Sequence, residues 1–274
     1  MRVHVRVPAT SANLGPGFDA LGLALALYNE VEAREADGVT VTVQGEGEGQ
    51  LSSGAENIVA RGVRLAFEAA GQPFKGVALR CVNRVPTARG LGSSAAAWVG
   101  GLVAGDALLG GLTVSCVDDN GRIAAVSLPV PDGLAWVVLV PATTASTAEA
   151  RAVLPRSVPL RDAVFNVQRV ALLLAGLQAR RPDALVAALE DRLHQPYRRA
   201  VFPWMPSVAE CARRAGALGC VLSGAGPSLL ALVSGDGHAV ARAMEAALRV
   251  AGVEGRAQTY TVDTSGATVL RVHG

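Results

Sequence analysis

The chain opens on an alternation. Arg2-Val3-His4-Val5-Arg6-Val7 puts an apolar side chain at every second position, the period of a half-buried strand. Val39-Thr40-Val41-Thr42-Val43 repeats it. From Asn57 to Ala70 the period lengthens: Ile58, Val59, Val63, Ala66 and Phe67 share one side of a helix, which Gly71 stops. A strand is predicted from Val77 to Val82, then a long helix from about Ser93 to Leu109. Two strands, Leu112 to Cys116 and Ile123 to Leu128, flank the turn signal Asp119-Asn120-Gly121.

Pro129-Val130-Pro131-Asp132-Gly133 breaks every period and is read as a boundary, giving units 1–130 and 131–274. Beyond it, Leu134 to Val140 is a continuous apolar run, as in a buried strand. Asp162 to Arg180 is amphipathic, with Val164, Val167, Val170, Ala171 and Leu174 at helical spacing, and Pro182-Asp183 opens another helix. Further on come a helix from Ser207, strands at Cys220–Leu222 and Leu229–Val233, a helix from Gly237 to Val250, and strands at Thr259–Val262 and Val269–Val272. The class is α+β, two units sharing an interface, a common place for an active site.

Composition narrows the functions. With 274 residues and half of them hydrophobic, there is enough apolar surface for a core, which excludes a disordered chain. Lys+Arg 25 against Asp+Glu 23 leaves a net charge of +2, and aromatic residues are 4%. A nucleic-acid binder working by bulk charge or base stacking is excluded on those grounds. The apolar stretch from Ala95 to Gly105 is too short to span a bilayer, so no membrane partner is expected. The cysteines, Cys81, Cys116, Cys211 and Cys220, form neither a C-x-x-C pair nor a zinc spacing and read as free thiols of a cytoplasmic protein.

Three glycine-rich stretches carry the candidate chemistry. The central one runs Arg84-Val85-Pro86-Thr87-Ala88-Arg89-Gly90-Leu91-Gly92-Ser93-Ser94-Ala95-Ala96. Its glycines admit a ligand close to the backbone, and a helix starting at Ser93 or Ser94 turns free N–H groups toward it, an arrangement suited to phosphate. A Walker A loop ends in Gly-Lys-Ser/Thr, and the only lysine is Lys75, so that family is excluded. Gly90, Gly92 and Ala95 match a Rossmann spacing, but Pro86-Thr87-Ala88-Arg89 separates them from the strand and no acidic residue lies near 115. The alternative is a tightly packed helix start without a ligand. The first stretch, Pro8-Ala9-Thr10-Ser11-Ala12-Asn13-Leu14-Gly15-Pro16-Gly17-Phe18-Asp19, either presents Asn13 and Asp19 to a small polar ligand or is a turn whose Asp19 caps a following helix. The third, Val221-Leu222-Ser223-Gly224-Ala225-Gly226-Pro227-Ser228, either lines a pocket with its backbone, Gly224 included, or is a plain hairpin turn.

In this order the three stretches resemble the galactokinase/homoserine kinase/mevalonate kinase/phosphomevalonate kinase (GHMP) superfamily, and the first looks like its homoserine kinase version. The resemblance implies a unit like the second domain of ribosomal protein S5 followed by a ferredoxin-like unit. It implies an ATP-dependent kinase that phosphorylates the side-chain hydroxyl of L-homoserine on the route to threonine. ATP would lie along Pro86, Arg89, Gly90, Leu91, Gly92, Ser93, Ser94, Ala95 and Ala96, with Asn57 near the adenosine and Ser94 beside Mg2+ and the ATP tail. Asn13 and Asp19 would hold the substrate amine and orient its hydroxyl, with Asp19 and Ser94 the residues nearest the chemistry. Thr147 and Arg151, in Ser146-Thr147-Ala148-Glu149-Ala150-Arg151, and Arg198, in His194-Gln195-Pro196-Tyr197-Arg198, would take the carboxylate, for which guanidinium forks are suited. Dimers are common in the superfamily, and no segment here marks an interface.

One feature departs from the pattern. A segment containing Glu and then Gly-His-Pro-Asp-Asn follows the phosphate-loop helix in these kinases and supplies the magnesium-binding glutamate. Here Asp106-Ala107-Leu108-Leu109 runs directly into Gly110-Gly111-Leu112-Thr113, and His4, His194, His238 and His273 stand in other contexts. Two further readings therefore accompany the first: a catalytically impaired nucleotide-binding protein on the same scaffold, and a kinase for another small alcohol.

Overall fold

The computed structural model describes residues 2–69, 73–94, 96–97, 112–117 and 123–273. The helix expected from Ser93 to Leu109 is seen only at its start, and the Asp119-Asn120-Gly121 turn and Asp106 lie outside the described residues.

Two sheets organise the chain. The first is built on a long antiparallel pair, β1 (Arg2–Ala12) and β2 (Leu21–Glu35). Their register slips between Pro8 and Ala9, where proline has no N–H to give the ladder. β2 has no counterpart in the sequence reading: Leu21 to Leu27 is apolar apart from Gly22, and only Glu30-Val31-Glu32-Ala33-Arg34 alternates. It changes partner partway, pairing β5 (Leu112–Val117) at Leu21 to Leu23 and β4 (Gly76–Asn83) from Glu30 to Glu35. Its presence also removes the helix that Asp19 was offered to cap, since Leu21 begins a strand.

β3 (Gly38–Gly45) runs parallel to β4, and the crossover between them contains α1 (Ile58–Ala69), as parallel neighbours require. Val59, Ala60 and Val63 of α1 pack on Val77, Leu79 and Cys81 of β4 and on Val31 and Val41. β6 (Ile123–Leu128) extends the sheet beyond β5.

The second sheet is antiparallel, in order β10 (Gly255–Tyr260), β7 (Leu134–Pro141), β9 (Leu229–Ser234), β8 (Gly219–Leu222). Renumbered from its own first strand, the order is 4-1-3-2, the ferredoxin-like arrangement of a β-α-β-β-α-β unit. Alternation assigns its two faces. Ala135, Val137, Leu139, Leu229, Ala231 and Val233 meet α6 (Met205–Arg214) and α7 (His238–Val250). Trp136, Val138, Leu230 and Leu232 turn the other way, onto Leu173 and Leu177 of α3 (Leu160–Gln178), Leu185 of α4 (Pro182–Ala188) and Leu21, Leu23 and Leu25 of β2. That second cluster is the interface between the units.

The strand expected at Thr259–Val262 is β10, four residues earlier. Val262 instead makes a single bridge to Leu25 of the first sheet. β11 (Thr268–His273) goes further and pairs with β1. The proposed boundary at 130/131 falls between β6 and β7, hence between the sheets, and β11 crosses back over it.

Candidate active site

The three glycine-rich stretches meet. Ser223 Oγ donates its one proton to Gly90 O (2.8 Å) and accepts from Ser11 Oγ (2.9 Å), tying the third stretch to the other two. Gly224 N–H donates to Ala12 O (3.0 Å) and Thr10 N–H to Leu91 O (3.1 Å). Closeness explains the glycines at 90 and 92. Both have φ near +70°, and a Cβ on Gly90 would collide with Ser223 O and one on Gly92 with Thr10 Oγ1. Asn29 of β2, 3% exposed, accepts the N–H groups of both Arg84 and Val85 and fixes where the central loop leaves β4.

Two cavities open on either side of this junction. The smaller, about 250 Å³, is lined by Thr10, Ala12, Asn13, Phe18, Asp19, Ala88, Gly90, Gly92, Ala145, Thr147, Arg151, Arg198, Gly224, Ala225 and Gly226. The larger, about 510 Å³, holds Asn57, Ser93, Ser94 and Thr87 together with apolar Val43, Leu51, Ile58, Val59 and Ala97. Ala88, Ala145 and Thr147 line both, so the two share a wall. A third cavity of about 520 Å³, between Phe165, Arg192, Pro196 and Met205, contains none of the expected site residues.

The residues expected to bind substrate therefore converge. Asn13 is 4% exposed and in left-handed backbone (φ 75°). Its Nδ2 donates to Gly224 O (2.9 Å) and its Oδ1 accepts the Asp19 N–H (3.0 Å). Much of its bonding capacity thus shapes the turn that presents Asp19. Asp19 accepts from Arg151 Nη2 at 3.0 and 3.2 Å. Thr147 and Arg151 sit on α2 (Thr147–Ala152), a single short helix held by a capping box between Ser146 and Glu149. Arg198 ends α5 (Gln195–Arg198) and is 1% exposed. It donates to Ala150 O, Gly224 O and His194 Nδ1, all within 3.1 Å. Burial, and the positive charge of Arg151 nearby, lower its pKa from the ordinary guanidinium range.

The residues expected along the nucleotide divide. Gly90 and Gly92 line the smaller cavity, Ser93 and Ser94 the larger, and Asn57 lines the larger while its side chain bonds Ser52 O and Val59 N–H. Pro86, Arg89, Leu91 and Ala96 line neither. Leu91 is 1% exposed in the inter-unit core, and Ala96 packs on Val5 and Val7. The Arg89 guanidinium is spent on Pro141 O, Thr87 O and Ala142 O, bracing the loop against the end of β7. Ala95 lies outside the described residues.

Sequence reasoning missed Phe18 and His194. Phe18 lines the smaller cavity and stacks on His194, ring centroids 5.1 Å apart. Their signal lay in the motifs themselves, beside Asp19 and four residues before Arg198, where an aromatic ring has no spacing rule to mark it.

A phosphate-type loop between two unequal cavities, the larger part apolar and the smaller charged, is the layout of a small-molecule kinase. Residues 57–118 match the GHMP kinases N terminal domain and residues 173–250 the GHMP kinases C terminal domain. The chain belongs to the GHMP kinases. Within that family it is 39% identical to the homoserine kinase of Persephonella marina, over 97% of this chain and 98% of that one. It is 44% identical to the homoserine kinase of Clavibacter michiganensis, over 98% and 94%. The crystal structure of homoserine kinase from Cytophaga hutchinsonii superposes with a TM-score of 0.88 at 29% identity, covering 98% of this chain and 97% of that one. The match to the Persephonella protein extends over 295 positions, more than the 274 residues of this chain, so that relative carries residues with no counterpart here.

Proposed function

We propose that this chain is a homoserine kinase, transferring the γ-phosphoryl group of ATP to the side-chain hydroxyl of L-homoserine in the reduced cytoplasm. The shared wall at Ala88, Ala145 and Thr147 carries the reading: a nucleotide in the larger cavity and an alcohol in the smaller would lie side by side at those three residues. The matching homoserine kinases support the choice of acceptor. The buried thiols fit a reducing compartment, with burial pushing Cys81 up to about 11 and Cys220 to about 12.

Each residue has a task that its geometry suits. Arg198 and Arg151 take the carboxylate, and Asp19 takes the ammonium and orients the hydroxyl. Asn13 holds Asp19 in place through the Asp19 N–H. Ser93, Ser94 and the backbone of Gly90 to Gly92 receive the phosphates. Catalysis is then positioning and charge neutralisation.

Among the described residues no group of three His, Cys, Asp or Glu could hold a metal ion. Mg2+ bound mainly through phosphates needs only one or two protein oxygens. The Ser94 hydroxyl and the Glu56 carboxylate both line the larger cavity, so the donors fit an ion carried by the nucleotide. Bound there, Mg2+ would neutralise phosphate charge.

A coupled ADP-release assay with ATP, Mg2+ and L-homoserine, with mevalonate and galactose as controls, tests the proposal. Homoserine-dependent turnover is expected. ATP binding without turnover on any acceptor would instead favour the impaired nucleotide-binding protein.

A further inference from the structure

Arg198 is buried, and its hydrogen-bond partners among the described residues are uncharged: two carbonyl oxygens and one imidazole nitrogen. The centroid of the Phe18 ring lies 5.6 Å from its Cζ, and the carboxylates of Asp19 and Asp191 act on it without bonding it. Nη2 has no partner among those residues, and the side chain lines the smaller cavity. A buried guanidinium is ordinarily paired with a carboxylate, because an uncompensated charge is costly away from water. Here an imidazole stands where a carboxylate would be usual.

The chemistry of the neighbours fixes the state of that ring. A guanidinium only donates, so His194 Nδ1, 3.0 Å from Arg198 Nη1, must be the bare acceptor. A carbonyl only accepts, so Nε2, 2.7 Å from Gly15 O, must carry the proton. The ring is fully buried and stacked on Phe18. Asp191 accepts the N–H groups of Leu193, His194 and Gln195, and its Oδ2 also stands 3.5 Å from Nε2, on the side where the proton sits.

We propose that His194 is a positioning residue for the acceptor site: its neutral Nδ1 orients the Arg198 guanidinium while leaving the positive charge free for the carboxylate of the substrate. An Asp or Glu in its place would hold Arg198 equally well and cancel the charge the substrate needs. A protonated or cationic side chain would repel it. The same ring anchors Gly15, and so ties the turn that carries Asp19 to the helix that carries Arg198. The proposal rests on the reading of the smaller cavity as the homoserine site.

Two variants separate the ring's two nitrogens. In His194→Asn the amide oxygen falls near Nδ1 and still accepts from Arg198, while the contact with Gly15 is lost. In His194→Gln the amide nitrogen reaches toward Gly15, while the acceptor for Arg198 is lost. The homoserine KM is expected to rise about tenfold or more in His194→Gln, the scale of a lost hydrogen bond to a charged group, and several-fold less in His194→Asn. The KM for ATP should stay constant in both. Equal rises in the two variants, or no rise in either, would overturn the proposal. Long-range ¹H–¹⁵N spectra of the histidine rings in the unmodified protein provide a readout independent of turnover. The neutral Nε2–H form at pH 7.5 is expected for His194, and the Nδ1–H form or a protonated ring refutes the proposal. Calorimetry of homoserine binding to the unmodified protein with a non-hydrolysable ATP analogue decides separately whether the acceptor is homoserine.

Discussion

Asp19 and Arg151 face each other across the acceptor cavity, one guanidinium nitrogen lying 3.0 and 3.2 Å from the two carboxylate oxygens. Both side chains are about half exposed, so the pair contributes little to stability. Its meaning is chemical: an amino acid brings an ammonium and a carboxylate, and each can replace the partner that Asp19 and Arg151 find in one another. An alcohol without an ammonium leaves Asp19 with no incoming cation. On the proposed function the pair would favour zwitterions.

Asp19→Asn should raise the homoserine KM by about tenfold or more, the scale of a charge-assisted hydrogen bond. Thermal unfolding should move little, because the pair it breaks is exposed. Steady-state kinetics beside a melting curve checks both. A large fall in Tm with an unchanged KM would reassign Asp19 to the fold.

For the phosphate loop the decisive substitution is Gly92→Ala. The added methyl meets Thr10 Oγ1 in a backbone conformation that alanine disfavours. A loss of about 1 to 3 kcal/mol in stability is expected, together with weaker ATP binding. Denaturant unfolding and nucleotide titration measure the two.

Chelation of Mg2+ should abolish turnover. Ser94→Ala should increase the Mg2+ concentration needed for half-maximal rate while sparing the homoserine KM. A rate that ignores Mg2+ would remove Ser94 from this role.

Stability should fall as the solution is made acid, in part through His194. Burial holds its pKa below the ordinary value of 6.5, while Asp191 and Asp19 oppose that shift and Arg198 adds to it. The unfolded chain then binds the proton more readily than the folded one. The neutral ring's contribution is complete above 6.5 and shrinks as pH drops below it, toward the folded pKa. Unfolding free energies measured between pH 7.5 and 5 should show a shallower slope for His194→Asn than for the unmodified protein.

Leu232→Ala tests the seam between the units. Leu232, on β9, is fully buried in the cluster that β9 forms with α3 and β2, and its truncation should cost about 2 to 5 kcal/mol. Differential scanning calorimetry should show one transition moving as a whole if the units unfold together.

Much of this was legible beforehand. Alternation located β1 and β3, the continuous apolar run located β7, and the order of the three glycine-rich stretches identified the family. What escaped has physical causes. In β2 the stretch Leu21 to Leu27 is apolar on both faces apart from Gly22, which hides the alternation that Glu30 to Arg34 keeps. β10 is a sheet edge in which Gln258 and Thr259 follow Arg256, and its apolar signal is weak. Arg89 looked like a phosphate ligand because it stands in the glycine-rich loop; only the carbonyls of Pro141 and Ala142, far along the chain, show that its guanidinium is occupied. His194 could not be assigned at all without Gly15 O and Arg198 on opposite sides of its ring.

The return of β11 to β1 has a consequence for how the protein is made. β1 leaves the ribosome before the strand that covers its outer edge, Thr268–His273, and the whole second sheet is made between them. Until then that edge stays open, with the unpaired backbone groups that invite wrong partners. The first sheet is thus completed only after the second has been synthesised, and a gene cut at the boundary between the units would yield a first half with an unfinished side.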